Sequence, residues 1–406
     1  MKKIVITGMG AVTPVGIGVN KYFKSLIDGE CGICEISAFD ASDLAVKIAG
    51  EVKDFNASLY MPPAMIRQTD AFMQYAYAAA KEAIESSSLK IEPFKTGIVM
   101  GTALNGITTI AHTQQTLSEA VHKKVGPRFI PKILGNVSAA NIAIDYNIKG
   151  PSITINTACA SGGDAVYVAS MLIKSGKADT VIAVGAESVL CPIVIYSLSN
   201  AQALSKNPNA RQASRPFDAL RDGFVIGEGG GALVLESEER AKRRGAKIYA
   251  ELKGCANTND AYHVTAPDSS GESAIRCMEL ALEDANMSPP EIDYINAHGT
   301  GTILGDIAET AAIKHVFNGT IPCISSTKGA TGHMMGAGGI TEVIACIKAI
   351  EQSIIPPTLN LENNDTDCDL DYTPLIAKKA KINTAMSNAF GFGGQNSSII
   401  IKRYGG

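Results

Sequence analysis

Short β-branched runs alternate along this chain with longer stretches whose apolar residues recur at helical spacing. Residues 3–7 predict a strand, and Ala71 to Ser86, rich in Ala and Tyr, predicts a helix. Thr96 to Met100 and Thr180 to Val184 predict buried strands, and Ala232 to Glu236 another. Between them, Ala160 to Lys174 predicts a helix whose early turns carry Ala, Ser and Gly, small enough to pack tightly between sheets.

The order then repeats. Ile248 to Lys253 restarts with a strand, Ser273 to Ala285 follows as a helix, and Asp293 to Ala297 as a strand. Pro322 to Ser326 predicts a strand that runs through a Gly-rich turn into a helix ending near Ile350. Lys381 to Met386 and Ser397 to Lys402 supply two last strands. Alternation of this kind predicts α/β layers. The repeat divides the chain into related halves, 1–250 and 251–406, whose equivalent turns meet at a shared pseudo-twofold axis.

Composition narrows the functional classes. The chain has 406 residues, 46% hydrophobic and 19% charged, with 39 Gly and no Trp. That length suits two core-forming halves. A net charge of −4 argues against general attraction to nucleic acid. No apolar run approaches about 18 residues, so no membrane span is expected, and the start reads as strand and turn without a signal-peptide core. Nine scattered cysteines fit reduced thiols in a cytoplasmic setting. Cys31 and Cys34 form a C-x-x-C pair, but no second pair stands at zinc spacing.

The chemistry concentrates at turns. In Ser152-Ile-Thr-Ile-Asn-Thr-Ala-Cys159-Ala-Ser-Gly-Gly, a β-branched run stops at a cysteine before a small-residue helix start. A helix N-terminus aimed at the thiol favours thiolate, so the elbow predicts a nucleophile with a lowered pKa. In the second half, Asn296-Ala-His298-Gly-Thr300-Gly-Thr302, Lys328-Gly-Ala-Thr-Gly-His333 and Asn388-Ala-Phe390-Gly-Phe392-Gly-Gly-Gln-Asn396 each read as polar, Gly-rich loops at strand termini, where α/β sheets bind ligands. The pseudo-twofold brings Cys159 near His298 and His333. Gly227-Glu-Gly-Gly-Gly231 lacks a Walker lysine and the order of a dinucleotide fingerprint, so it reads as a packing turn.

With these motifs, joined by Arg215-Pro-Phe-Asp-Ala-Leu-Arg-Asp-Gly, the chain resembles the β-ketoacyl-[acyl-carrier-protein] synthases of the elongating, thiolase-like type, from Met1 to the last strand. It is closest to synthase II of type II fatty acid synthesis and to polyketide ketosynthases. The resemblance implies a thiolase-like duplicated fold layered α-β-α-β-α, with two pseudo-twofold-related halves. It implies an acyltransferase in which Cys159 takes an acyl chain from a carrier-protein thioester. Backbone N–H groups of Cys159 and Phe392 would form the oxyanion hole. Neutral His298 and His333 would stabilise the enolate left as a malonyl thioester loses carbon dioxide. Lys328 would supply fixed charge, with Glu309 as its supporting partner. Thr300 and Thr302 would bind the phosphopantetheine arm, and Phe392 would gate the two steps. Leu104 and Phe390 would bound the substrate, Leu104 setting the depth of the acyl pocket. No cofactor is required. A structural Na+ or K+ near Asn296, Glu342, Ser387 and Asn388, or hydrogen bonds that brace the loops without any ion, are the two readings of that cluster.

The implied partner is an acidic acyl carrier protein, docking on Arg67, Lys123, Lys124, Arg128 and Lys132, and the implied assembly is a homodimer. Met61 to Thr69 is less basic than usual in the family, and Gln395 stands where Thr is common. The first alternative is a ketosynthase of a polyketide or polyene pathway; the second is a non-catalytic chain-length partner, against which Cys159 and both histidines argue. A thiolase would need a second cysteine where Phe390 and Phe392 stand.

Overall fold

A computed structural model describes residues 2–119 and 124–405. Ten strands build one mixed sheet: β1 Ile4–Thr13, β2 Thr96–Gly101, β3 Ser152–Ile155, β4 Thr180–Glu187, β5 Gly229–Ser237, β6 Ala250–Asn259, β7 Tyr294–Asn296, β8 Cys323–Ser325, β9 Thr384–Gly391 and β10 Gln395–Arg403. Their order is β3-β2-β4-β5-β1-β6-β10-β9-β7-β8, with a short strand beside β1 off this path. Read inward from either edge, each half runs third, second, fourth, fifth, first. The senses repeat too. β2 pairs parallel with β3 and β4, as β7 does with β8 and β9. The β4–β5–β1 and β9–β10–β6 pairings are antiparallel. The halves join where Ile4 to Ile6 pair antiparallel with Leu252 to Ala250.

Five helices complete the layers: α1 Ala71–Ser87, α2 Ser161–Lys174, α3 Glu272–Ala285, α4 Ile303–Val316 and α5 Gly338–Gln352. Helix α1 packs on β1, β4 and β5, and α3 on β6 and β10, so each covers the outside of its own half. Helix α2 packs on β2 and β4 but also on β6 and β10, while α5 packs on β9 and β10 but also on β4 and β5. These two helices therefore fill the space between the halves, giving the layering α-β-α-β-α. A helix in that position is apolar over most of its surface. Val343, Ile344, Ile347 and Ile350 of α5 are buried accordingly, with Ala165, Val166, Ala169 and Ile173 of α2.

Small residues let the middle helices meet. A Cβ on Gly339 would stand 2.5 Å from the Gly163 nitrogen, and one on Gly162 would stand 2.7 Å from the Gly336 oxygen. The Gly-rich starts of α2 and α5 thus touch backbone to backbone, which a side chain would prevent.

The predicted elements reappear with ends moved by a few residues. One prediction changes character: Asn388 to Asn396 is not a turn throughout. Asn388 to Gly391 continue β9, paired with Ser398 to Gln395 of β10. Only Phe392, Gly393 and Gly394 lie between the strands, the two glycines at φ +83° and +73°. The nine cysteines are unpaired thiols. No helix among the described residues is long and apolar enough to cross a membrane.

Candidate active site

The thiol sits where the chain leaves β3 for α2. Ala158 holds φ +50°, a conformation that costs a non-glycine residue strain and turns the backbone sharply before Cys159. Thr157 is tied to the start of α2: its N–H donates to Ser161 Oγ at 2.9 Å and its hydroxyl to Asp164 at 2.7 Å. Cys159 is 8% exposed, and the backbone amides of Phe392 and of Cys159 itself favour its thiolate. A Cβ on Gly391 would lie 3.0 Å from the Cys159 nitrogen, so the end of β9 rests directly on the elbow.

The expected lowered pKa is not what this environment gives. Burial is the largest influence and pushes the Cys159 thiol up to about 11, outweighing the two N–H donors and the Lys328 charge. Desolvation penalises the thiolate more than the helix start rewards it.

Both histidines reach the same cleft of ≈ 370 Å³, which Cys159, Phe390, Phe392, Thr300, Thr302 and Met335 also line. Their rings stand 5.3 Å apart at 87°. The loop after β7 presents His298; Glu309 on α4 accepts the His298 N–H at 2.8 Å and the Gly299 N–H at 2.7 Å. The turn after β8 presents His333, whose N–H donates to Val225 O at 2.7 Å and whose carbonyl accepts from Gly227 at 2.8 Å. His298 Nδ1 and both ring nitrogens of His333 are buried without a hydrogen-bond partner. Burial first, then the Lys328 charge, lowers both imidazoles well below their ordinary value, so they are neutral. The site therefore combines a buried thiol and neutral imidazoles whose nitrogens are free of protein partners.

Lys328 is 1% exposed, and its Nζ binds Glu342, not Glu309 as expected. Glu309 instead accepts the His298 and Gly299 amides. Glu309 supports the site by holding the His298 loop. This changes the cation cluster as well. Glu342 is engaged by Lys328, Asn388 Oδ1 accepts from Ser398 at 2.9 Å, and Ser387 pairs in register with Asn296. Asn296 Oδ1 is fully buried without a partner.

Thr300 and Thr302 line the cleft, with hydroxyls 3.1 Å apart. Asp306, not singled out from sequence, holds them by accepting from Thr300 N and Gly301 N at 3.1 and 3.2 Å. Its signal was its place in the first turn of α4, where a carboxylate meets free amides. Phe392 is 37% exposed at the rim. Leu104 does not line the cleft; it is 40% exposed. Its loop is held from within by Glu187, which accepts the Leu104 N–H at 3.0 Å, and it is Ala103 that packs on the apolar cluster containing Cys159. A separate groove gathers Arg67, Lys124, Arg128 and Lys132 with Thr113 and Thr116; Lys123 lies outside the described residues.

A duplicated α/β fold with a cysteine elbow in one half and paired histidines in the other defines a thiolase-like condensing enzyme. Sequence comparison names the family: the β-ketoacyl synthase N-terminal domain matches residues 1–241 and the C-terminal domain residues 249–362, and the chain belongs to the β-ketoacyl synthases. It is 41% identical to the 3-oxoacyl-[acyl-carrier-protein] synthase 2 of Synechocystis, covering 99% of this chain and 98% of that one. It is also 41% identical to the protein of that name from Coxiella burnetii, over 99% of both. Among solved structures, the ishigamide ketosynthase/chain length factor matches with TM-score 0.94 and 34% identity over 100% of both chains. A type II PKS ketosynthase, solved with its acyl-carrier protein, matches with TM-score 0.90 and 33% identity over 99% of both.

Proposed function

We propose that this chain is an elongating β-ketoacyl-[acyl-carrier-protein] synthase of type II fatty acid synthesis. Cys159 attacks the thioester of an acyl carrier protein, forming an acyl-cysteine and releasing the carrier thiol. The N–H groups of Cys159 and Phe392 take the oxyanion. A malonyl-carrier thioester then enters, its pantetheine arm held by Thr300 and Thr302. Its carboxylate leaves as carbon dioxide, and the bonding pair becomes an enolate whose oxygen accepts from His298 and His333. The enolate carbon attacks the acyl carbonyl, a C–C bond forms, the Cys159 sulfur departs, and the chain is two carbons longer. Neutral donors suit this step because they stabilise the oxyanion without giving the enolate a proton, as a charged ring would. Phe392, flanked by two glycines, gates the order of entry.

The observation that carries this reading is the pair of buried imidazoles, with nitrogens free of protein partners, lining the same cleft as the Cys159 thiol. Residues 1–250 then carry the nucleophile, and 251–406 carry the histidines and Lys328. The carrier docks on the groove of Arg67, Lys124, Arg128 and Lys132, whose charge suits an acidic partner. The enzyme is a cytoplasmic homodimer that uses no cofactor. The exposed β3 edge with Ile153, beside exposed Leu104, Ile110 and Leu134, supports pairing with a second copy. The polyketide reading rests on the likeness to the ishigamide and type II PKS ketosynthases, and product analysis separates it.

Intact mass after incubation with acyl-carrier thioesters tests the reading. One acyl adduct is expected, absent in Cys159→Ala; His298→Ala should keep the adduct and lose condensation. An adduct on another residue, or condensation intact in His298→Ala, overturns the assignment.

A further inference from the structure

Buried Glu187, the last residue of β4, is unused by the mechanism above. Its two oxygens take four donors from two separate segments. Oε2 accepts the Ala103 N–H at 2.6 Å and the Gly336 N–H at 3.2 Å; Oε1 accepts the Leu104 N–H at 3.0 Å and the Thr102 hydroxyl at 3.3 Å. The first segment follows β2, and its Ala103 packs on the apolar cluster that holds Cys159, Phe224 and Met335. The second continues from His333 through Met335, which has φ +45° and lines the cleft. The contact is close on both sides: a Cβ on Gly336 would meet Glu187 Oε2 at 2.8 Å and Thr102 Cα at 2.9 Å.

The pseudo-twofold supplies an independent comparison. The loop after β7 is the counterpart of the loop after β2, and there Glu309 takes two consecutive amides, His298 and Gly299. Each half thus pins the two amides beyond its second strand with a buried glutamate. Burial raises both carboxyls to about 7 despite their donors.

We propose that Glu187 is the positioning residue of the acyl side, locking the Thr102–Leu104 loop to the His333-bearing turn so that the apolar cluster beside Cys159 and the condensing histidine share one anchor. The structural part stands without any assigned activity; the specificity part rests on the condensing reading above.

Glu187→Gln in the full chain replaces one acceptor with an NH2 group that faces N–H donors. Gly336→Ala presses on the same anchor from the other side. Two readouts decide. In amide hydrogen exchange, both variants should lose protection together at residues 102–106 and 333–338. In Cys159 acylation by hexanoyl- and palmitoyl-pantetheine, followed by intact mass, the ratio of the two rates should shift on the order of tenfold, as loss of positioning does. Unchanged protection in either segment overturns the lock. An unchanged rate ratio, with both rates falling only in proportion to folded protein, overturns the specificity role. Should wild-type protein acylate but never condense, the proposed function falls while hydrogen exchange still decides the anchor.

Discussion

The two halves share a strand order and a set of turns, yet they present opposite chemistry to one cleft. After its third strand the first half presents Cys159; after its third strand the second presents Lys328 and then His333. After its second strand the first half presents Ala103 toward an apolar cluster; the second presents His298. Both are desolvated, and desolvation acts on them in opposite senses: it raises the thiol and lowers the imidazoles, keeping all three neutral. Lys328 and Glu342 form a buried ion pair in the second half. A single scaffold thus separates a group that must gain charge during reaction from groups that must keep none.

The largest test of this contrast is to unbalance the second half. Lys328→Met should leave Glu342 buried and alone, costing about 3–5 kcal/mol of stability, read by urea unfolding. Adding Glu342→Gln should restore much of it; equal losses in the single and double variants would show that the pair is not an electrostatic unit. Next, His333→Ala should lower condensation by about 10²–10³ while the acyl adduct on Cys159 still forms. If acylation falls as far as condensation, the halves do not divide the work.

A smaller effect sharpens the first half. Alkylation of Cys159 by iodoacetamide should rise about tenfold per pH unit through neutrality and level only near the raised pKa of about 11. A plateau near pH 7 would show that the helix start prevails over burial. The sign for stability follows: the unfolded thiol releases its proton from about pH 9, the folded one only near 11, so stability falls as pH rises across that window.

Much of this was legible in the chain. Alternating periodicity placed the strands and helices, and the repeated order foretold the matching halves, because a duplicated pattern must bury matching faces. The thiol and histidine motifs lay at strand ends, where loops can aim them. What sequence could not supply was pairing. Glu309 and Glu342 are both glutamates on helices near Lys328, and only packing decides that backbone amides claim one and the lysine the other. Glu187 carried no motif of its own, since its partners are amides contributed by segments more than eighty residues away on either side. The Asn388 to Gly391 strand hid behind its glycines, which signal a turn until their pairing with β10 is seen.

The glycine crossing of α2 and α5 has a consequence for variation. With no side chains between them, the separation of sulfur and imidazole is written in main-chain contact, where a single methyl has nowhere to go. New substrates can be sought by recarving the pocket wall, whereas the catalytic spacing itself offers evolution and the engineer almost no dial to turn.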